Sequence, residues 1–139
     1  MTEKKYFETK ISFMETQEDG TEKKKSEVFA VMAISFGTAE KKALEEAEGY
    51  SDVEVTGISI ASYTEVLGQG ESQAEKYFKA KVPFVEVDEK TGKEKLVSTT
   101  YLVRAENISS AIKQINSSLG NMGDYMISSV TETSITSVI

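Results

Sequence analysis

Apolar and polar residues alternate over KYFETKISF, residues 5–13, and again over KYFKAKVPF, residues 76–84. Alternation of this kind marks a strand with one buried face. In the second stretch Phe78, Ala80, Val82 and Phe84 share one side of a strand predicted over Tyr77–Val87. Pro83 cannot donate a ladder hydrogen bond, so an edge or a bulge is expected there. EDGTEK and EKTGKEK follow, each with a glycine that supplies the positive φ of a hairpin turn. Second strands are predicted over Ser26–Ala33 and Val97–Ala105.

The period then changes from strand to helix. Ser35 or Thr38 can cap a helix in which Ala39, Ala43, Leu44 and Ala47 form the apolar stripe, with Gly49 as its end. Asn107 or Ser109 can open a second helix carrying Ile108, Ala111, Ile112, Ile115 and Leu119, with Gly120 as its stop. Alternation returns in VEVTGISIASYTEVL and YMISSVTETSITSVI. Each is long for one strand, so a bend or bulge is expected at Gly57 and Ser129.

The chain also matches itself. At an offset of 71 residues Lys5-Tyr6-Phe7 falls on Lys76-Tyr77-Phe78, Lys10 on Lys81 and Phe13 on Phe84. One inserted turn residue makes the offset 72, which then pairs Gly20 with Gly92, Val31 with Val103, Ala39 with Ala111 and Thr64 with Thr136. A sustained offset with a single gap marks an internal repeat. The predicted fold is therefore α+β, a tandem duplication of a ββαβ unit over residues 5–67 and 76–139, with GQGESQAE, residues 68–75, as a polar linker. A unit this small has a thin core, so the copies are expected to pack as one compact domain about a pseudo-two-fold axis, mainly antiparallel sheet with two helices on it. One continuous sheet and a barrel-like pair both remain open. Leftover strand edges favour a homo-oligomer, a dimer or larger.

Composition narrows the chemistry. The 139 residues are 39% hydrophobic and 28% charged, as in a soluble globular protein, and no apolar run reaches the length of a membrane helix. MTEKKYFETK has no apolar core of a secretory signal. The chain has no cysteine and no histidine, which removes disulfides, thiolate nucleophiles, histidine-based triads and zinc sites. Only an all-oxygen cation site is left. No catalytic residue, metal or cofactor is expected, and the protein is read as a binder rather than an enzyme. The net charge of −7 argues against duplex DNA, whose binders neutralise phosphates. That charge is uneven: the first copy carries −6 and the second +1.

Candidate ligand-binding residues lie where the copies differ or where rings leave the core. Arg104, the chain's single arginine, faces Met32 in the self-alignment. It is either a forked donor for phosphate or carboxylate, or a surface partner of Glu106. Tyr6-Phe7 and Tyr77-Phe78 must each point one ring inward and one outward. The outward tyrosines are either core rims or a stacking platform for bases, which Tyr63 and Tyr101 could join. Asn121 lies in GNMGD, whose glycines permit close backbone approach to a ligand and equally serve a helix end and turn. GQG at 68–70 lacks the Gly-Lys-Ser/Thr of a phosphate loop and reads as linker. The lysines at 23–25 read as a solvated hairpin tip, and Glu45, Glu46 and Glu48 as the wet face of the first helix.

The opening YF-x-x-K-x-x-F strand, the middle KYFKAKVPFVEVDEKTGKEKLVSTTYLV, the helix VRAENISSAIKQI and the closing GDYMISSVTETSITSVI together resemble a known group. The chain is similar over nearly its whole length to a family of small domain-of-unknown-function proteins carried by phages and mobile elements of anaerobic gut bacteria. The resemblance implies a phage-type protein acting in the bacterial cytoplasm and transfers no catalytic motif. Three functions are compatible with these features. The first is sequestration of a small nucleotide-like ligand, of the kind used against bacterial nucleotide signalling. The second is a single-stranded nucleic-acid accessory of phage DNA metabolism. The third is a protein-protein adaptor or inhibitor that docks a host protein by a strand edge. The first is ranked ahead.

Overall fold

Twelve residues pair with twelve in the first hairpin. Strand β1 (Lys5–Thr16) runs antiparallel to β2 (Glu22–Ala33), from Lys5 opposite Ala33 to Thr16 opposite Glu22. Asp19 closes the turn by accepting from the Thr21 amide at 3.0 Å and its hydroxyl at 2.6 Å. Those two bonds hold the Asp19 carboxyl below its ordinary pKa, the hydroxyl contributing most. Helix α1 (Phe36–Glu46) follows, with Ser35 as N-cap accepting from the Thr38 amide at 3.1 Å. Ala39, Ala43 and Ala47 are buried as the stripe requires, whereas Leu44 is exposed.

The computed structural model describes residues 3–70, 73–120 and 123–139. The chain divides into two compact units, Met1–Ala61 with Ser134–Ile139, and Ser62–Thr133. The boundaries fall inside the two long closing segments. Each expected single strand is two. The first becomes β3 (Ser51–Ile60) and a short β4 (Glu65–Leu67), and the second becomes β7 (Ser129–Glu132) and β8 (Ile135–Val138).

In the first unit the strand order is β3-β1-β2-β8. β3 is antiparallel to β1, with one register shift beside Gly57, where the bulge was expected, and another between Ser12 and Met14. β8 lies parallel to β2, and the Ile139 carbonyl accepts from the Met32 amide at 2.9 Å. Phe7, Ile11, Phe13, Phe29 and Val31 form the core with the three helix alanines.

The second unit has the order β4-β6-β5-β7. β5 (Lys76–Val87) and β6 (Glu94–Ala105) form the central hairpin, again twelve residues each. β4 is parallel to β6, with Leu67 opposite Val103. Pro83 sits where the β7 side of β5 loses register, between Lys81 opposite Ser129 and Phe84 opposite Tyr125. The missing amide hydrogen is thus placed at an irregularity, as the sequence suggested. Helix α2 (Ile108–Leu119) is capped by Asn107 in a capping box with Ser110, and Gly120 is its C-cap. Phe78, Ala80, Val82, Tyr101, Val103, Ala111, Ile115 and Leu119 make this core. Ile108 and Ile112, expected in the stripe, are 50% and 37% exposed. Among the described residues no helix is long and apolar enough to cross a membrane.

Candidate functional site

The second unit builds a groove from a strand end, a helix face and the segment that follows β4. β4 runs alongside β6, so the chain leaves it next to Arg104. Gly68 makes the turn with φ +79°, and a Cβ there would stand 2.5 Å from the Arg104 carbonyl oxygen and 3.2 Å from Gln114 Cγ. A glycine is needed on both counts, backbone angle and space. The guanidinium then holds the segment that Gly68 begins. Arg104 Nε donates to the Ala74 carbonyl at 2.8 Å and Nη1 to the Gln69 carbonyl at 3.5 Å. Tyr77, opposite Arg104 in the ladder and so on the same face, directs its hydroxyl to Gln69 Oε1 at 3.5 Å.

The groove has a volume of about 340 Å³, with Ala74, Arg104, Glu106, Lys113, Gln114 and Ser117 in its lining. Ser110 also faces it but is saturated. Its hydroxyl donates to the Asn107 carbonyl and accepts from the amides of Glu106 and Asn107, all near 3.0 Å. Gln114 Nε2 donates to Ser118 Oγ at 3.1 Å. Among the described residues no hydrogen bond or ion pair engages the side chains of Lys113 and Ser117. Arg104, whose guanidinium is already held by the carbonyls of residues 69 and 74, lines the groove together with Lys113, Ser117 and Glu106, so cationic and hydroxyl groups suited to an anion border it with one carboxylate. The first unit uses the matching strand end differently: Lys42 Nζ donates to the Met32 carbonyl at 2.7 Å.

The other sequence-derived candidates do not converge on this groove. Tyr77 is 5% exposed, so its ring is packed rather than presented. Tyr101 is also 5% exposed and lies on the opposite face of β6, in the core against α2. Burial, and then the Glu65 carboxylate, push its phenol above the ordinary value. Tyr63 is 1% exposed, with Lys79 Nζ 5.7 Å from its ring centroid. Tyr6 belongs to the first unit, where it is half-buried and its carbonyl accepts from the Ala61 amide at 2.9 Å. Asn121 lies outside the described residues. Among the described residues Arg104 makes no ion pair with Glu106, whereas Lys76 pairs with Glu132 at 3.4 Å. No group of three or more acidic residues among them could hold a metal ion.

Lys113, Gln114, Ser117 and Ala74 were not singled out from sequence. The signal for three of them was present, because Ser110, Lys113, Gln114 and Ser117 recur at helical spacing beside the buried stripe. Nothing in the spacing said that a linker would lie against that stripe. A family model described as a domain of unknown function (DUF4494) matches residues 5–139. No curated protein and no solved structure matches the chain.

Proposed function

The chain belongs to the DUF4494 family, a domain of unknown function, and from that premise we propose that it is a non-enzymatic binding protein whose second unit holds a small nucleotide-like anion. The chain is read with this as a tandem duplication of one ββαβ unit, in which the second copy acquired the ligand groove. The observation that carries the proposal is the pinned Arg104. Its Nε and Nη1 are committed to the backbone of residues 74 and 69, so the charge is held in one place before any ligand arrives, on a residue that lines the groove with Lys113 and Ser117. A preorganised cation loses little entropy on binding, which favours a compact anionic group over an extended one. The volume suits a small ligand.

Burial of Tyr63, Tyr77 and Tyr101 bears on how such a ligand is held. Their rings are unavailable for stacking in this conformation, so the phosphate or carboxylate supplies the recognition and the remainder of the ligand lies along α2. This also lowers the standing of a single-strand reading, which relies on exposed aromatic rings. With neither histidine nor cysteine in the chain, retention rather than turnover is the proposed role, and a phage-encoded protein of this type would sequester its ligand in the bacterial cytoplasm.

Thermal shift against a panel of mono-, di- and cyclic nucleotides tests the proposal, together with the native mass of protein purified from bacteria. At least one nucleotide is expected to raise the melting temperature, and Lys113→Glu is expected to abolish that rise while leaving the unliganded melting temperature unchanged. A panel that gives no shift at saturating concentration, on protein that carries no extra mass, would overturn it.

A further inference from the structure

The far end of the β5–β6 hairpin is apolar on a face that the fold leaves open. The register from Lys81 opposite Thr100 to Val87 opposite Glu94 has no shift, so residues 81, 83, 85 and 87 share a face with 100, 98, 96 and 94. That face is opposite the one carrying Ala80, Val82 and Phe84 to the core. Val85, Val87 and Leu96 on it are 36%, 58% and 64% exposed, and Met126, whose amide donates to the Pro83 carbonyl, is 57% exposed beside them. The first hairpin has the same length and pairing but different residues at the sequence-matched positions. Thr16 stands for Val87, Lys24 for Leu96 and Glu54 for Met126. Val85 keeps an apolar match in Met14, but the first copy folds with polar residues for the other three, so the architecture does not require Val87, Leu96 or Met126 to be apolar. Clustered exposed apolar residues mark an interaction surface.

Charge on the same face selects the partner. Exposed Lys81 lies at one end of the apolar stretch, and exposed Glu94, level with Val87, at the other. They are six ladder positions apart, each about 10 Å from a midpoint near Pro83 and Val85. We propose that this face docks a second copy of the chain about a two-fold axis through that midpoint. The antiparallel arrangement sets Val85 and Leu96 of one copy opposite Pro83 and Ser98 of the other, within diagonal reach of their own counterparts across the axis, and sets Lys81 of each copy against Glu94 of the other, twice per contact. A surface with opposite charges equidistant from an apolar centre is complementary to itself under that rotation. The anion groove, at Arg104, lies eight residues along β6 from Leu96, so the arm can be altered without touching it.

Sedimentation equilibrium and native mass spectrometry of the full chain test this. Wild type is expected to be a dimer, and Leu96→Lys, which installs the residue of the matched position, is expected to be a folded monomer by circular dichroism. Lys81→Glu and Glu94→Lys should each weaken the dimer about tenfold or more, and the double exchange should restore it to within about threefold of wild type. Restoration by the exchange is the result specific to a second copy, since a different partner would not gain the reversed charge. A wild type that stays monomeric overturns the proposal and leaves the arm for another macromolecule. A dimer indifferent to Leu96→Lys, or a double exchange no better than the single changes, overturns it as well.

Discussion

Gly68→Ala is the substitution that reads most directly on how the groove is made. Two separable penalties arise. At φ +79° an alanine is held in the left-handed region, which costs a residue with a Cβ about 1–2 kcal/mol. The new Cβ would also stand 2.5 Å from the Arg104 carbonyl oxygen. That oxygen is backbone in a paired strand and cannot swing aside, so β4, β6 or the linker must shift. Overpacking of this kind adds about 1–3 kcal/mol. Gly92 supplies the control within the same unit. It has φ +70° and nothing within 4 Å of its Cβ position, so Gly92→Ala carries the first penalty alone. Urea unfolding of both variants, followed by circular dichroism, isolates the contact as their difference. At an m of about 2 kcal/mol/M that difference displaces the midpoint by roughly 0.5–1.5 M. Nucleotide binding should weaken with Gly68→Ala and survive Gly92→Ala. Two variants with the same midpoint would refute the close approach of the linker to Arg104 on which the groove depends.

Thr9 Oγ1 is fully buried with no hydrogen-bond partner, and the sequence-matched residue is Ala80. Thr9→Val is therefore expected to stabilise by about 1 kcal/mol in urea unfolding, since it removes an unmet desolvation cost. Ile115→Ala empties a fully buried site on α2 and should cost about 2–5 kcal/mol by the same assay. Removing the Lys76–Glu132 pair, whose side chains are 54% and 56% exposed, should cost under about 1 kcal/mol, measured as Lys76→Met. The Tyr101 phenol titrates higher in the folded chain than in the unfolded one, through burial and then Glu65. The neutral form is thus favoured by folding. Its contribution is complete below the unfolded phenol pKa of about 10 and is lost as pH rises through the folded value. Tyr101→Phe should flatten the alkaline fall in stability above pH 10, and an unchanged fall would disprove the assignment.

The elements were legible where local chemistry alone decides them. The β1–β2 and β5–β6 hairpins followed from alternation and a turn glycine, and both helix N-caps were among the residues named from sequence, Ser35 and Asn107. Helix faces were legible only in part. Leu44, Ile108 and Ile112 fit the apolar stripe by spacing yet remain exposed, because periodicity fixes a stripe's direction and not how much of its width the sheet covers. The aromatic candidates failed to gather for a related reason. Alternation puts Tyr77 and Phe78 on opposite faces, but it does not say that a linker will cover the tyrosine's face, where Gln69 meets its hydroxyl.

The closing segments show where pattern stops being informative. VEVTGISIASYTEVL alternates almost without interruption, so a single strand is the natural reading. The chain breaks it at residues 61–64, and the fragment beyond joins the other unit's sheet as a parallel neighbour of β6. YMISSVTETSITSVI does the same in reverse, with β8 beside β2. Alternation records which side chains are buried, and a strand buries the same ones whichever sheet accepts it. Sequence offered Tyr63 as a surface ring, and it is buried instead, as are Leu67 and Ile135, beside strands that the pattern did not name. The groove inherits that ambiguity. Arg104 becomes a fixed cation only because β4 arrives at β6 and delivers Gly68, Gln69 and Ala74 to it. A residue chosen from sequence for its charge proves, in the fold, to take its position from a strand that the first half of the chain supplies.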